Sequence, residues 1–299
     1  MPPMREHPVG IIGAGRVGTA LGRVLIRSGY HVTGIAARSA GSRDRAARML
    51  PGTPILEPAE VARSSGILVV SVADDAIERV CAGLAVAGCF RAGHHVLHLS
   101  GARGLAVLRP AAEAGAMPLA IHPAMTFPGL DTDADRLAGL AYAITTRPAE
   151  RPRAEEFVVD LGGVPIWIAE EDRTLYHAAL VLGANNLIAP TASAMEALAA
   201  AGVPDPGFVL APLARASLEN ALRTGDEALT GPVRRADTGT IDAHLRVLRE
   251  RAPDLVPAYL QFGLVTADRA RRAALTDADR LARVIAVLRH EAAEVHQDP

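Results

Sequence analysis

The chain has 299 residues, 49% of them apolar, and its 31 basic residues nearly balance its 33 acidic ones. This length suits two domains, and the lack of a dense basic patch argues against a nucleic-acid partner. We expect a cytoplasmic protein without a membrane partner. No uninterrupted apolar run reaches transmembrane length, and the first core strand lies too close to Met1 for a secretory signal to precede it.

The first predicted element is a strand that leads through a glycine-rich turn into a helix. An apolar run over residues 9–12 is followed by Gly13, Gly15 and Gly18 in the order Gly-x-Gly-x-x-Gly, and then by apolar residues at helical spacing. This pattern is typical of dinucleotide-binding folds. Gly13 would permit the turn, Gly15 would let the backbone approach a pyrophosphate, and Gly18 would let the helix pack against the strand. The alternative is a glycine-rich turn with no ligand.

The residues after the second predicted strand, residues 30–36, indicate the cofactor. Arg38 and Ser39 follow this strand, with Arg43 close behind. An acidic residue here would bind a ribose 2′-hydroxyl, whereas a guanidinium can hold the 2′-phosphate of NADP through two parallel hydrogen bonds. We therefore expect NADP as the cofactor. The alternative is that Arg38 and Arg43 are solvated loop charges.

The rest of the first half alternates strands and helices. Further strands are predicted near residues 67–72, 96–99, 119–121, 142–145 and 164–168. The alternation predicts an α/β fold in which residues 1–169 form a Rossmann-type doubly wound parallel sheet that binds the dinucleotide. Ser100 and His122 directly follow two of these strands. The ligand crevice of such a sheet lies outside the carboxyl ends of its strands, so both residues are candidates for the site. For His122 a purely structural role is the alternative.

The histidines and cysteines nearby do not predict a metal site. His94, His95 and His98 are close in sequence, but neighbours on a strand face opposite ways and no cluster of other ligands completes a set. Cys81 and Cys89, the only cysteines, lie outside metal-binding and Cys-x-x-Cys spacings. We expect no bound metal and reduced, buried thiols.

From residue 170 onwards the pattern predicts an all-helical domain, residues 170–299, for substrate binding and dimerisation. Helices are predicted over residues 172–201, 206–223, 237–251 and 255–267, with a final apolar stripe over residues 281–288. The first is apolar on several faces, which predicts burial between the sheet and other helices or a partner subunit, and hence a homodimer.

Polar residues within that long helix are candidates for the substrate site. His177 and Asn185 are two turns apart and would share a face, and Pro190 should kink the helix beside Asn185 and Asn186. Buried polar groups need partners, which a substrate or neighbouring helices would supply. Later in the chain, Arg235 and Asp237 follow a Thr-Gly-Pro turn and form a pattern suited to binding an anion.

Taken together, these motifs resemble the Rossmann-like reductase family with a C-terminal helical domain of unassigned function. The family is related to ketopantoate reductase, pyrroline-5-carboxylate reductase and the β-hydroxyacid dehydrogenases. The resemblance rests on residues 13–18, 37–39, 100–102, 122–127, 176–179, 185, 229–232, 235 and 237. Ala236 departs from the pattern, where the family has glycine after the arginine.

The resemblance implies an NADP-dependent oxidoreductase that reduces a small α-keto acid, with conversion of 2-dehydropantoate (ketopantoate) to pantoate favoured. The alternatives are an imine reductase resembling pyrroline-5-carboxylate reductase and a non-catalytic NADP(H)-binding module. One turn before Asn185, where relatives have a lysine, this chain has Val181. A histidine would then donate the proton.

Two sets of site residues follow. The catalytic candidates are His177 or His122 as proton donor, Asn185 to orient the substrate and Arg235 to bind its carboxylate. The cofactor-binding candidates are Gly13, Gly15, Arg16, Val17, Gly18, Arg38, Ser39, Arg43, Val72 and Ser100.

Overall fold

The computed structural model describes residues 2–295. The chain divides into two compact units, of which the first ends at Ala184 and the second begins at Asn185. The sequence placed this boundary at residues 169/170, before the first helix of the predicted helical domain. In the structure the first part of that predicted helix, residues 173–183, belongs to the first unit, and residues 188–200 belong to the second.

The first unit is built on a seven-stranded sheet with the strand order β2-β1-β3-β4-β5-β6-β7. The strands are β1 (Val9–Ile12), β2 (Val32–Ala36), β3 (Ile67–Val70), β4 (His95–His98), β5 (Met117–Pro123), β6 (Ala141–Thr146) and β7 (Val164–Trp167). The helices are α1 (Arg16–Arg27), α2 (Ala40–Met49), α3 (Pro58–Arg63), α4 (Ile77–Val86), α5 (Arg109–Glu113), α6 (Arg151–Asp160) and α7 (Arg173–Gly183). An apolar cluster covers each face of the sheet, so the predicted Rossmann-type α/β fold is confirmed.

The predicted parallel sheet contains one antiparallel pair. β6 pairs with β5 in the antiparallel direction, whereas β1 to β5 and the β6–β7 pair are parallel. The segment between β5 and β6 holds only a short 3₁₀ helix, Asp131–Arg136. A parallel pair needs a crossover connection, usually a helix packed on the sheet, while an antiparallel pair does not.

The second unit is helical, as predicted. It contains α8 (Ile188–Ala200), α9 (Pro206–Thr224), α10 (Gly231–Arg235), α11 (Thr238–Arg251), α12 (Val256–Arg272) and α13 (Ala278–Val295). Its core joins α10 to α13 through Ile241, Leu245, Leu260 and other buried side chains. The final apolar stripe packs into this core, since Leu281 and Leu288 are both buried there.

The helix predicted over residues 172–201 is interrupted rather than continuous. α7 ends at Gly183, a 3₁₀ turn covers Asn185–Leu187, and α8 begins at Ile188. Pro190 lies in the first turn of α8, where its missing N–H is tolerated. The predicted break beside the asparagine pair is therefore present.

This segment is exposed in the single chain, so its expected burial against other helices or a partner subunit stays a prediction. Arg173 is the only buried residue of α7, and α8 has none. Leu182 and Ile188 are 71% and 70% exposed. By length and composition alone, the segment Arg173–Ala200 could cross a membrane.

Candidate cofactor and active site

The glycine-rich turn has the geometry that the sequence predicted. Gly13 has φ of 106°, and a Cβ there would clash with the carbonyl oxygen of Ser71. A Cβ at Gly18 would clash with the carbonyl oxygen of Gly13, whereas a Cβ at Gly15 would meet nothing within 4 Å. Two glycines therefore allow close packing, and the third borders open space.

That open space lies at the N-terminus of α1. Gly15 is the N-cap residue of α1, and the N–H of Thr19 donates to its carbonyl at 3.1 Å. The N–H groups in the first turn of α1 have no hydrogen-bond partner within the helix. Free N–H groups and the positive end of the helix dipole together favour an anion such as a pyrophosphate.

Several arginines follow β2, and one of them contacts the glycine-rich turn. Arg38 is exposed, and Arg43 donates through Nε to the carbonyl of Ala37 at 3.2 Å. Ser39 caps α2 by accepting a hydrogen bond from the Ser42 N–H. The guanidinium of Arg45 donates to the carbonyl of Ala14, inside the glycine-rich turn, at 3.2 Å. Arg45 was not predicted as a site residue. α2 contains several arginines, and the sequence does not indicate which of them contacts the glycine-rich turn.

Three further cofactor candidates border the same turn. Val17 packs against the core and Val72 lies beside Gly13. Arg16 is exposed, lies against Gly129, and has its Nη1 at 3.5 Å from the carbonyl of Phe127. Arg16 therefore links the glycine-rich turn to the loop that follows β5.

A cluster of aromatic polar side chains lies at the carboxyl end of the sheet. His122, near the end of β5, has its Nδ1 at 3.0 Å from the hydroxyl oxygen of Tyr176 on α7. The rings of His122 and His177 are 6.4 Å apart. A Cβ at Gly101 would lie 2.7 Å from the His177 ring and 3.0 Å from His122 Nε2. Glycine at this position therefore leaves room for both imidazoles. The two alternative proton donors thus belong to one cluster, which we call the His122 cluster: His122, Tyr176 and His177.

Burial sets the protonation states of this cluster. It lowers the pKa of His122 to about 4, with the positive charge of Arg173 adding to the effect. It raises the pKa of Tyr176. At neutral pH the hydrogen-bonded pair is therefore a neutral imidazole and an un-ionised phenol.

Ser100 has its side chain engaged within the protein. Its hydroxyl donates to Asp74 Oδ2 at 2.6 Å and accepts from the N–H of Arg103 at 3.0 Å. Its carbonyl accepts from Arg173 Nη2 at 2.6 Å. These bonds hold the turn after β4 in place, and contact of Ser100 with a cofactor stays a prediction.

The three histidines considered as metal ligands have separate partners. His94 Nε2 lies 3.3 Å from Ser65 Oγ, His98 Nε2 lies 2.8 Å from the carbonyl oxygen of Gly104, and His95 packs edge-on against His7. Within residues 2–295, no group of three His, Cys, Asp or Glu side chains is arranged to hold a metal ion.

Asn185 and Arg235 lie in the helical unit. Asn185 is exposed in the 3₁₀ turn after α7. Regular helical spacing ends at Gly183, so the shared face with His177 stays a prediction. Arg235 is the exposed last residue of α10. Asp237 caps α11, accepting from the N–H of Thr240 at 3.0 Å and from its hydroxyl at 2.7 Å.

Ala236, the departure from the family pattern, has a left-handed backbone. Ala236 is the C-cap residue of α10, and it has φ of 54° and ψ of 45°. Glycine adopts this conformation without the steric cost that a Cβ brings. The structure therefore gives a physical reason for glycine at this position in the family.

Two family models match the sequence. Residues 3–123 match the Rossmann-like domain, and residues 140–266 match a domain of unknown function, DUF2520. The chain therefore joins a Rossmann-like domain to a DUF2520 domain. This confirms the resemblance drawn from the motifs. His122 lies in the Rossmann-like match, whereas Tyr176 and His177 lie in the DUF2520 match, so the His122 cluster draws on both domains.

Solved structures share the fold over nearly the whole chain. A Bacteroides fragilis protein described as an NADP oxidoreductase is 22% identical, with a TM-score of 0.72, covering 87% of this chain and 97% of its own. An imine reductase from Myxococcus stipitatus in complex with NADP⁺ is 18% identical (TM-score 0.65, covering 93% and 99%). A pyrroline-5-carboxylate reductase from Coxiella burnetii is 17% identical (TM-score 0.54, covering 90% and 98%). No curated protein has a matching sequence.

Proposed function

We propose that the protein is an NADP(H)-dependent reductase that delivers hydride to a C=N or C=O bond of a small substrate. The observation that carries this proposal is the open space beside Gly15, at the same sheet edge as the His122 cluster. β1, β3, β4 and β5 are mutually parallel, so their carboxyl ends meet at one edge. Ligands of open α/β sheets bind at this edge. The NADP⁺-bound imine reductase of the same fold supports the choice of cofactor.

Each group of residues has a role in this proposal. The first turn of α1 holds the pyrophosphate, and Arg38 and Arg43 hold the 2′-phosphate. The cofactor, when bound, supplies the hydride. The hydrogen-bonded pair of His122 and Tyr176 supplies a proton to the nitrogen or oxygen that becomes negative, and His177 flanks the pair.

Within this class we favour an imine as the substrate. The chain contains no lysine, so the lysine acid of hydroxyacid dehydrogenases has no counterpart. A neutral imidazole and an un-ionised phenol are weak acids, which suits a basic imine that takes up a proton readily. Two of the solved structures with this fold are named as an imine reductase and a pyrroline-5-carboxylate reductase.

Ketopantoate is the second candidate. It follows from the family resemblance and from Arg235, which would bind the substrate carboxylate through its guanidinium fork. We expect a screen of NADPH oxidation to find turnover with cyclic imines such as 2-methyl-1-pyrroline above turnover with ketopantoate and other 2-keto acids. The reverse order would favour ketopantoate. Tight NADPH binding without turnover of either class would favour a non-catalytic module.

We also propose that the protein acts as a homodimer. α7, α8 and α9 carry exposed apolar side chains, among them Leu182, Ile188, Phe208 and Leu222. Exposed apolar side chains in this number are typical of an interaction site. A membrane is a poor partner, because the Arg173–Ala200 segment would bring Asn185 and Asn186 to the bilayer centre.

Light scattering tests the dimer. We expect dimer mass at tens of micromolar protein, and a shift towards monomer in Ile188→Asp. Val86→Asp, at an exposed position on α4 of the sheet unit, serves as the matched control. A wild-type monomer would contradict the proposal.

A further inference from the structure

Arg173 is the largest fully buried side chain of the protein, at 1% exposure. As the first residue of α7, it donates through Nη2 to the Ser100 carbonyl at 2.6 Å and through Nη1 to Thr145 Oγ1 at 3.1 Å. Thr145 Oγ1 in turn donates to the Ile168 carbonyl at 2.7 Å. One guanidinium thus ties α7 to the end of β4 and to β6.

This buried cation has no ion-pair partner. In the part of the chain that the structure describes, no carboxylate lies within ion-pair distance of Arg173, and its Nε has no hydrogen-bond acceptor. Burial lowers the pKa of Arg173, and the more distant carboxylates of Glu170 and Asp74 oppose this effect only in part. Burying a charge without an ion-pair partner is costly, and an apolar side chain of similar volume is often as stable or more so. Packing alone therefore does not account for an arginine here.

The position of Arg173 on α7 relates it to the His122 cluster. Arg173, Tyr176 and His177 are spaced i, i+3 and i+4, so they share one helix face. Leu175, on another face, is exposed. The bonds of the Arg173 guanidinium to the turn after β4 and to β6 therefore fix the rotation of α7 about its axis and the position of Tyr176 beside His122.

We infer that Arg173 is a positioning residue, whose buried guanidinium holds Tyr176 and His177 over His122 and places a permanent positive charge beside the imidazoles. The inference deepens the proposed function, since it rests on the His122 cluster as the proton donor. It assigns to Arg173 a role in orientation and electrostatics without contact with substrate.

The charged groups that face His122 come from several elements. Arg173 and His177 on α7 and His98 on β4 oppose its protonation, whereas Asp74, after β3, favours it. Burial is the largest cause and does not depend on Arg173. Removing the guanidinium should therefore raise the pKa of His122 from about 4 without restoring its ordinary value.

The test compares Arg173→Met with Arg173→Lys, and uses Arg109→Met, at an exposed site on α5, as the control. NMR titration of the His122 imidazole in the whole protein should show a raised pKa in Arg173→Met, and a value near wild type in Arg173→Lys and Arg109→Met. In Arg173→Met we expect kcat to fall at least tenfold, while the NADPH dissociation constant changes less than twofold. Arg173→Lys should recover kcat only in part, because one ammonium cannot donate to both the Ser100 carbonyl and the Thr145 hydroxyl as the planar guanidinium does.

A folded Arg173→Met protein with an unchanged His122 titration would overturn the inference. If that variant does not fold, Thr145→Val provides a second test. It removes the hydroxyl that accepts from Arg173 Nη1 and keeps the positive charge of Arg173. It should lower kcat with the His122 pKa and NADPH affinity near wild type, and an unaltered kcat would contradict the positioning role. Should no substrate be turned over at all, the proposed function fails while the His122 titration still decides the role of Arg173.

Discussion

His122 Nδ1 and the hydroxyl oxygen of Tyr176 lie 3.0 Å apart and join two segments that are 54 residues apart in sequence. We expect His122→Ala to lower kcat about a hundredfold, because it removes one member of the hydrogen-bonded pair that supplies the proton and general acid–base catalysis contributes about this much. Tyr176→Phe should lower it about tenfold, because it removes one hydrogen bond of roughly 1–1.5 kcal/mol. Steady-state kinetics with saturating NADPH measures both. A hundredfold loss in His177→Ala, with His122→Ala near wild type, would assign the proton transfer to His177 instead.

The pH profile follows from the lowered pKa of His122. Burial holds this pKa at about 4, so the imidazole of the folded protein is neutral above that pH and becomes charged as the pH falls through 4. If the neutral form is required, kcat should be level from pH 6 to 8, where an ordinary histidine with a pKa of about 6.5 would titrate. A decline in kcat centred near pH 6.5 would contradict the assignment, and measurements of residual structure at each pH control for unfolding.

Gly15 and Gly13 form a matched pair for testing the cofactor site. The backbone of Gly15 is extended, with φ of −75° and ψ of −176°, and a side chain there meets open space. Gly15→Val should therefore fold normally and lose binding of NADPH. Gly13→Ala combines a positive φ with a clash against the Ser71 carbonyl, so it should lower the melting temperature. Wild-type NADPH affinity in Gly15→Val would mean that the open space is not the pyrophosphate site.

Arg38 should determine the preference for NADPH over NADH. We expect Arg38→Ala to narrow the difference in binding free energy by roughly 1.5–3 kcal/mol, the contribution of a hydrogen bond to a charged group. Arg48→Ala is a suitable control, because Arg48 lies on α2 and pairs with Asp131 at 3.0 Å. Isothermal titration of the wild type and both variants with each cofactor provides the six affinities. Equal affinity of the wild type for NADPH and NADH would contradict the assignment of NADP.

Ala236→Gly should stabilise the protein. The substitution relieves a left-handed conformation, with a φ of 54°, that costs an alanine about 1 kcal/mol or more. Ala199→Gly, within α8, should instead destabilise by roughly 0.5–1 kcal/mol. Urea unfolding of both variants measures the difference, and a destabilised Ala236→Gly would show that the Cβ makes contacts worth more than the strain.

The features that the sequence predicted well are local ones. The Gly13-x-Gly15-x-x-Gly18 turn, the capping of α11 by Asp237 and the break before Pro190 each depend on residues within a few positions of one another. Such features follow from backbone preferences and hydrogen-bonding capacity, which a short stretch of sequence contains.

The features that escaped prediction depend on contacts between distant segments. No local pattern pairs Tyr176 with His122 rather than with another polar group, or predicts that the guanidinium of Arg173 is buried under the strand ends. The direction of β6 likewise depends on how the segment after β5 crosses the sheet, since its apolar pattern is the same in either direction.

Hydride transfer from NADPH is the central claim, and a single assay tests it most directly. NADPH oxidation should be measured with 2-methyl-1-pyrroline and with ketopantoate, for the wild type beside Gly15→Val. We expect turnover of the imine by the wild type, a lower rate with ketopantoate, and no turnover by Gly15→Val. Equal turnover by the wild type and Gly15→Val would contradict it.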